Sequence, residues 1–422
     1  MRRERRFRIL NVIVPVVLVT GVIGLGAAPA SAAGTPGVTS KTVTLGFLGD
    51  LTGLAASTFS DGYGAAEARI AMQNAEGGVN GRRLKLVKAD TESSPTTTLT
   101  ATEDLVENKH VFGVITDSAF TYGGSTYLTR AGVPVTGDGI DGPEWGTTSN
   151  MFDIEQPSNT TYKNGKSYTY LALSNFLKLI GATRVATFGY AISPSSILST
   201  EQTVGADSAV GLKNCYENTS VPFGGVDFTA DVLQMKASGC NAVVGSLLSS
   251  SNVALAQAIQ QAGLHLKQFY FTSYGQDTIT SKIADSALDD TYSEGTASKG
   301  KSAVVKANLT WYKELKKYDP SYHGGIPDTG QTIGWDAADL MIEGLKAAGK
   351  SLTRASFISK LRQVKTYTIG GLFSSPLSFN YLKGYFPPKN CDNFVELKGK
   401  TFVPVPKSGA AVCGKLYAYK GS

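Results

Sequence analysis

The sequence is poor in the residues that most often carry out catalysis or bind metal ions. Its 422 residues include three His, which lie far apart at positions 110, 265 and 323, and four Cys. No C-x-x-C pair is present, and neither an H-E-x-x-H nor a G-x-S-x-G motif occurs, so zinc ligation and a hydrolase nucleophile have no sequence support. We therefore expect no metal site, no cofactor and no enzymatic activity.

The sequence also lacks an excess of charge of one sign once the segment before Ala33 is set aside. The whole chain has 40 Lys and Arg against 34 Asp and Glu. Without the five Arg and one Glu of the leader, 35 basic residues face 33 acidic ones. No basic patch with interleaved aromatic residues remains, so nucleic acid is not an expected partner.

The segment from Met1 to Ala32 has the pattern of a secretory signal peptide. Five Arg between positions 2 and 8 form a basic head, an apolar run extends from Val12 to Leu25, and Ala30-Ser31-Ala32 provides a small-x-small cleavage site. A retained membrane anchor is the alternative, although the apolar run is shorter than a usual span. Because no Cys lies near the cleavage site, we expect an exported periplasmic or extracellular protein without a lipid anchor.

Four cysteines in an exported chain favour disulfides. Four cysteines allow three pairings. The pairing Cys215–Cys240 and Cys391–Cys413 keeps each bridge inside a compact segment, and it is the one we expect. Buried free thiols are the alternative.

Strand and helix patterns alternate along the first part of the mature chain. Apolar residues alternate in 43–47, recur at helical spacing from Gly62 to the Gly77-Gly78 pair, and return in predicted strands at 84–87 and 111–115. Strands and helices joined by short links predict a parallel sheet covered by helices. A second series, which begins with a helix predicted over 168–180, and a mature length of about 390 residues predict two lobes.

These residues resemble the type I periplasmic binding proteins, in particular the branch that serves ABC transporters for branched-chain amino acids and amides. The most specific match is the block Gly77-Gly78-Val79-Asn80-Gly81-Arg82 directly after a helix. Asp227-Phe228-Thr229 and Trp335-Asp336-Ala337 match later family patterns. The resemblance is nearly continuous from Lys41 to about Gly371.

The resemblance implies an α/β fold of two Rossmann-like lobes, with parallel sheets flanked by helices and joined by hinge crossings. It places residues 33–154 and about 286–372 in lobe 1. Residues 155–285 and about 373–422 form lobe 2 with a C-terminal cap. It further implies a monomer that captures a small organic solute, which is branched-chain amino acid-like, an amide or aromatic, between its lobes and delivers it to the permease subunits of an ABC importer. The alternative is a ligand-sensing protein of the same fold that acts through a signalling partner.

The resemblance also implies a set of ligand-binding positions. In the amino-acid binders of this family, a Ser and backbone N–H groups of lobe 1 hold the ligand carboxylate, and an acidic residue of lobe 2 holds its ammonium. Carried over residue by residue, the lobe 1 positions are Thr58, Phe59, Ser118, Ala119, Asp138, Gly139 and Ile140. The lobe 2 positions are Tyr190, Pro194, Leu248, Tyr274 and Gln276.

Two of these positions depart from the family pattern. Tyr274 stands where those binders carry the acidic residue, and Asp138 lies in a loop that is usually rich in Ala or Thr. Burying an ammonium without a carboxylate, or two carboxylates side by side, is costly. Either Asp138 takes the ammonium in a reversed pose, or the ligand is not a simple aliphatic amino acid. We expect a small polar or aromatic solute, such as an amide, with Ser118 and Tyr274 as anchors. The alternative is that Asp138 points to solvent and the alignment has slipped by a residue or two.

Overall fold

The computed structural model describes residues 34–139, 142–154, 167–276, 287–297, 301–380, 382 and 389–419. The expected signal peptide, residues 1–32, and the expected site residue Ile140 lie outside the described residues. Thr35–Ser422 form one compact unit, to which all the elements below belong.

Fifteen strands lie in the described residues. They are β1 (Thr42–Gly49), β2 (Arg83–Asp90), β3 (Val114–Asp117), β4 (Val135–Gly137), β5 (Met151–Asp153), β6 (Ser167–Tyr170), β7 (Arg184–Tyr190), β8 (Lys213–Val221), β9 (Ala242–Ser246), β10 (Lys267–Tyr270), β11 (Tyr292–Glu294), β12 (Lys389–Asp392), β13 (Phe394–Lys398), β14 (Thr401–Val405) and β15 (Val412–Tyr419). β1 and β3 are almost wholly buried, as expected for parallel strands covered on both faces.

Twelve α-helices lie in the same residues. They are α1 (Ala56–Phe59), α2 (Gly62–Ala75), α3 (Pro95–Glu103), α4 (Tyr122–Arg130), α5 (Glu144–Thr147), α6 (Ala172–Leu179), α7 (Pro194–Val210), α8 (Thr229–Ala237), α9 (Ser249–Gln261), α10 (Ala303–Tyr318), α11 (Thr329–Ala348) and α12 (Arg354–Leu361). Local sequence sets several helix starts. At α7, for example, Ser193 Oγ accepts a hydrogen bond from Ser196 N at 3.3 Å, and Pro194 takes the first helical position.

Lobe 1 is built on a five-stranded parallel sheet of order β2-β1-β3-β4-β5. Helices α2 and α11 cover one face, where Leu45 and Phe47 are buried. Helices α3 and α4 cover the other face, where Leu48 and Val114 are buried. The predicted parallel sheet flanked by helices is confirmed for this lobe.

Lobe 2 is built on a seven-stranded sheet of order β14-β13-β11-β10-β9-β7-β8. Strands β7 to β11 pair in parallel, whereas β13 and β14 join one edge in antiparallel pairing. β11 pairs with β10, and α10, which follows it, packs on α2 of lobe 1. The position of the lobe boundary stays a proposal, and these pairings favour a return to lobe 1 after Glu294.

A small antiparallel sheet of order β12-β15-β6 stands apart from both lobe sheets. Cys391 and Cys413 face each other across β12 and β15 and form a disulfide. Cys215 pairs with Cys240, so the expected connectivity is confirmed. The helix predicted over 168–180 is wrong at its start, because residues 167–170 form β6 and pair with β15 from the far end of the chain.

The contact between α2 and α11 requires glycine at the point where the two helices meet. A Cβ atom added at Gly334 would lie 2.0 Å from the carbonyl oxygen of Gly62. Because neither Gly62 nor Gly334 has a side chain, the backbones of α2 and α11 approach closely, and α11 packs against the sheet of lobe 1. This contact fixes the N-terminal end of α11, at Thr329, against the adjacent end of α2.

We expect Gly334→Ala to lower the free energy of unfolding by about 1–3 kcal/mol, because a backbone oxygen cannot rotate out of the way and the helices must separate. Alanine is more favourable than glycine in a helix by about 1 kcal/mol, so the loss from separating the helices must be larger than this gain. Urea unfolding measures the change. Lys346→Ala, an exposed substitution on the same helix, is the control, and we expect it to change the stability by less than about 0.5 kcal/mol. A Gly334→Ala variant as stable as this control would contradict the close helix contact.

Candidate functional site

A cavity of about 470 Å³ lies between the two lobes. Lobe 1 contributes the carboxyl ends of β4 and β5 and residues of α1 and α11. Lobe 2 contributes the carboxyl ends of β7, β9 and β10. In parallel α/β sheets, ligands bind beyond the carboxyl ends of the strands, and here two such edges face each other.

The lobes are in contact at the mouth of this cavity. Ser249 N donates a hydrogen bond to Thr58 Oγ1 at 3.2 Å, which joins α9 of lobe 2 to α1. The rings of Phe120 and Phe223 meet edge to face, with centroids 5.0 Å apart. The cleft is therefore closed in this structure.

Among the positions expected from lobe 1, the structure brings four to the cavity wall: Phe59, Ala119, Asp138 and Gly139. Thr58 lies instead at the contact between the lobes. Ser118 is 2% exposed and is not a lining residue, so it stands behind the wall.

Ser118 is held by a buried carboxylate rather than turned to the cavity. Its hydroxyl donates to Asp50 Oδ1 at 2.9 Å, and Ala119 N donates to Asp50 Oδ2 at 2.8 Å. Thr91 Oγ1 also donates to Asp50 Oδ1. The single hydroxyl proton of Ser118 is thus used within the protein, and a ligand carboxylate placed beside it would lie close to the carboxyl group of Asp50.

Asp138 lies next to a second carboxylate, which the sequence patterns did not reveal. Asp153 ends β5, is 3% exposed, lines the cavity with Asp138, and accepts a hydrogen bond from Gly139 N at 3.0 Å. A Cβ atom on residue 139 would lie 2.2 Å from Asp153 Oδ2, so a larger residue here would displace the Asp153 carboxyl group. The position of Asp153 at the carboxyl end of a parallel strand was the available signal.

Of the five positions expected from lobe 2, three line the cavity and two do not. Tyr190, Leu248 and Tyr274 line the cavity, whereas Pro194 and Gln276 do not. Pro194 is exposed at the start of α7, and Gln276 N donates to Ile326 O at 2.8 Å.

Both tyrosines use their hydroxyl groups inside the protein. Tyr190 Oη donates to Ser251 Oγ at 2.7 Å and accepts from Leu248 N at 3.0 Å, at the start of α9. Tyr274 Oη donates to Thr296 O at 2.7 Å and accepts from Thr296 N at 3.1 Å. The two residues therefore offer the cavity their rings more than their hydroxyl groups.

Further aromatic residues complete the wall. Phe223 and Phe271 come from lobe 2, and Trp311 and Tyr312 come from α10. The spacing of Trp311, Tyr312 and Leu315 is that of an amphipathic helix, which by itself favours a place in the core. The structure buries Trp311 and Tyr312, at 6% and 7% exposure, and also places them at the cavity. An amphipathic helix does not reveal which of its buried residues faces an internal cavity.

Comparison with known families agrees with this geometry. A sequence profile described as periplasmic binding protein matches residues 42–382, which is most of the chain. The chain belongs to the periplasmic binding protein family. No functionally curated protein matches it by sequence.

Solved structures show the same fold as this periplasmic binding protein. The branched-chain amino acid transporter substrate-binding protein LivJ from Streptococcus pneumoniae, in complex with isoleucine, is 16% identical with a TM-score of 0.67 over 89% of this chain and 100% of its own. A solute-binding protein of an ABC transporter from R. palustris, in complex with benzoate, is 16% identical with a TM-score of 0.66 over 90% and 98%. A fatty acid ABC transporter substrate-binding protein from Thermomonospora curvata is 18% identical with a TM-score of 0.68 over 92% and 95%.

Two sequence patterns typical of nucleotide binding occur in this periplasmic binding protein, but neither has the required context. Residues 344–351 match G-x-x-x-x-G-K-[ST], yet they lie at the C-terminal end of α11 instead of between a strand and a helix. Residues 137–142 match G-x-G-x-x-G after β4, but the following helix, α5, has four residues, and Asp138 and Asp153 would repel a pyrophosphate. Nucleotide binding is therefore not supported.

The described part of the chain offers neither a metal-binding cluster nor a membrane-spanning helix. No group of three or more His, Cys, Asp or Glu is placed there to hold a metal ion. None of the described helices is both long and apolar enough to span a bilayer.

Two buried carboxyl groups beneath the lobe 1 wall have raised pKa values. Burial raises the pKa of Asp50 from 3.8 to about 6, against smaller opposing effects of the hydrogen bonds from Thr91, Ala119 and Ser118. Burial, together with the nearby carboxylates of Asp61 and Asp50, raises the pKa of Asp117 well above its usual value. Within the described part of the chain, neither oxygen of Asp117 has a hydrogen-bond partner. Both groups therefore bind protons more tightly in the folded state than in the unfolded state.

We expect the free energy of unfolding to decrease as the pH rises from about 4 to about 7, because the folded state must release protons that the unfolded state has already lost. A rise from 3.8 to about 6 at Asp50 corresponds to about 3 kcal/mol of this decrease. In Asp50→Asn we expect the share of the pH-dependent decrease that comes from Asp50 to be lost. Urea unfolding at a series of pH values measures it.

Asp90→Asn is the comparison variant, because the pKa of Asp90 is shifted in the opposite direction to that of Asp50. Burial alone would raise the pKa of Asp90, but its hydrogen bonds with Glu92, Thr52 and Leu51 outweigh burial and lower it. Its stabilising effect is present above pH 4 and is lost as the pH falls through its folded pKa. An Asp50→Asn variant with the wild-type pH profile would contradict the proton binding assigned to Asp50.

Proposed function

We propose that the protein captures a small organic solute between its two lobes and delivers it to the permease subunits of an ABC importer. The observation that carries this proposal is the closed cavity lined from both lobes. Family membership and the similarity to transporter-associated binding proteins support it. On this proposal the protein is a binding protein and not an enzyme, and it acts as a monomer.

In the proposed mechanism, the solute closes the clamp. A ligand shifts an equilibrium between open and closed forms only by its difference in affinity for the two. Contacts to Asp138 and Phe59 on one side and to Tyr190 and Leu248 on the other exist together only in the closed form. The closed form is then the one that the permease subunits recognise.

We further propose that the expected positions that line the cavity are the ligand contacts. They are Phe59, Ala119, Asp138, Gly139, Tyr190, Leu248 and Tyr274. Aromatic rings suit a solute with an aromatic or apolar body. Ionised carboxylates only accept hydrogen bonds, so a ligand group that faces Asp138 and Asp153 is a donor, such as an amide or an ammonium group.

We propose that the protein is exported, with its signal peptide removed near Ala33, and that it carries no lipid anchor. The basic head, the apolar run and the Ala30-Ser31-Ala32 site support export, and no Cys lies near that site. The family description as periplasmic binding protein agrees with this location.

We expect benzamide and benzylamine to raise the melting temperature more than benzoate, which has the same ring but places a carboxylate against Asp138 and Asp153. A ligand at 100 times its dissociation constant adds about 2.7 kcal/mol of stability. A thermal-shift panel of these three compounds with 4-hydroxybenzoate and isoleucine measures the order.

The role of Asp138 is tested with Asp138→Asn. We expect this variant to reduce the preference for benzamide over benzoate by about tenfold or more, which is about 1.4 kcal/mol. Asp104→Asn, a carboxylate of lobe 1 that does not line the cavity, should leave the preference unchanged. Tight isoleucine binding that survives Asp138→Asn would contradict the ligand class.

Ligand should also compact the molecule. We expect saturating benzamide to lower the radius of gyration in small-angle scattering, because the ligand favours the form in which Thr58 and Ser249 meet. The radius of gyration measured with isoleucine and with benzylamine, two other compounds of the panel, is compared with the value for benzamide. A protein that neither binds nor compacts with any panel compound would contradict the capture proposal.

A further inference from the structure

Residues of the small sheet formed by β12, β15 and β6 line the cavity, and those of β12 lie outside the family match. The matching profile ends at residue 382, whereas β12 and β15 lie within residues 389–419. Asn390, Cys391, Asp392 and Asn393 nevertheless line the cavity. A segment beyond the matched family core thus forms part of the cavity wall.

The same sheet contacts the chain segments that pass between the lobes. The second crossing leaves β11 of lobe 2 for α10 of lobe 1, and at its start Gly295 N donates to Asn393 O at 2.9 Å. The third crossing returns from α12 to β12. On this crossing Cys391 N donates to Ser375 Oγ at 2.9 Å, and Ser374 Oγ donates to Asn393 Oδ1.

The first crossing leads from β5 of lobe 1 to β6 and so ends in the small sheet itself. β15 pairs with β6 over four residues, from Leu416 opposite Tyr170 to Tyr419 opposite Ser167. All three crossings also supply lining residues, among them Ile154, Gly295 and Ser375. The small sheet, together with Asn393 directly after β12, therefore contacts described residues of all three crossings.

The Cys391–Cys413 disulfide joins these contacts covalently. Cys391 lies on β12, where its amide is bonded to Ser375 of the third crossing, and β12 leads directly into Asn393, which accepts the bond from the second crossing. Cys413 lies on β15, which pairs with the end of the first crossing. Asn175 Nδ2 donates to Cys413 O at 2.9 Å and anchors the same strand to α6 of lobe 2.

We propose that this disulfide-bonded sheet is a brace of the hinge. It joins the described ends of the three crossings, at residues 167–170, at Gly295 and at residues 374–375, with Cys391, Cys413, Asn393 and Ser375 as positioning residues. The inference rests on the proposed capture of a solute by two lobes, and it adds the element that sets the geometry of the hinge. When the lobes move relative to each other, we then expect the chain to bend between the brace and each lobe.

The second disulfide provides a matched control. Cys215 and Cys240 lie in lobe 2, on β8 and just after α8, and neither lines the cavity. The bridges span 25 and 22 residues, so their removal should free loops of similar length. Of the two bridges, Cys391–Cys413 is the one that touches the crossings.

The experiment is hydrogen–deuterium exchange on the ligand-free mature chain, which compares Cys391→Ser/Cys413→Ser with Cys215→Ser/Cys240→Ser. We expect the first variant to accelerate exchange of the Gly295 amide and of the amides of residues 372–375 and 377 by tenfold or more. The control variant should leave those segments at the wild-type rate. Equal acceleration at the crossings in both variants, or none in the first, would overturn the brace.

Ser375→Ala provides a second variant that keeps both disulfides. It removes the acceptor of the Cys391 amide, and we expect faster exchange at Cys391 and also at Gly295, which Ser375 does not contact through a hydrogen bond. A purely local role would leave Gly295 unchanged and would overturn the proposal even if the double variant fails to fold. Ser408→Ala, an exposed serine in the same C-terminal region, is the control.

These measurements need no ligand, so they distinguish the brace from the proposed function. If exchange at the crossings becomes faster in the first variant but no compound of the panel binds, the brace is supported and solute capture is contradicted. Panel binding with unchanged exchange would support capture and overturn the brace.

Discussion

The position of the cavity follows from parallel strand pairing. In each lobe, parallel strands end at the same edge of the sheet, and helices cover both faces of the lobe 1 sheet. The chain that leaves each strand must turn at this edge, where its polar groups are not covered by a helix. Because the two edges face each other, residues from distant parts of the chain meet at one cleft.

This constraint also explains where the carboxylates lie. Asp50, Asp117 and Asp153 end or follow strands of lobe 1, and Asp138 follows β4. Their environments differ. Asp50 accepts three hydrogen bonds beneath the wall, Asp117 is buried beside it, and Asp153 holds the Gly139 amide at the cavity. The same edge thus supplies both the support of the wall and the groups that line the cavity.

The comparisons separate the fold from the chemistry of the site. Solved relatives that are 15–18% identical share the fold, and their bound ligands are as different as isoleucine and benzoate. The ligand therefore depends on side chains at the cleft and not on the architecture. In this chain those side chains include Asp138, Asp153 and several aromatic rings, and residues of β12, beyond the matched family core, form part of the wall.

The sequence alone determined the order of strands and helices in lobe 1 and the family, and it favoured one of three disulfide pairings, which the structure confirmed. Hydrophobic periodicity and the glycine block at 77–82 act over short distances, and the two disulfides join cysteines that are only 25 and 22 positions apart. Only the tertiary structure decided that residues 167–170 form a strand, that Ser118 is bound to Asp50, and that Asp153 and β12 reach the cavity. These features depend on partners far away in the chain, as for Asn175 and Cys413, which are separated by 238 residues. Local patterns carry no information about such partners, because the contact exists only after both lobes have folded.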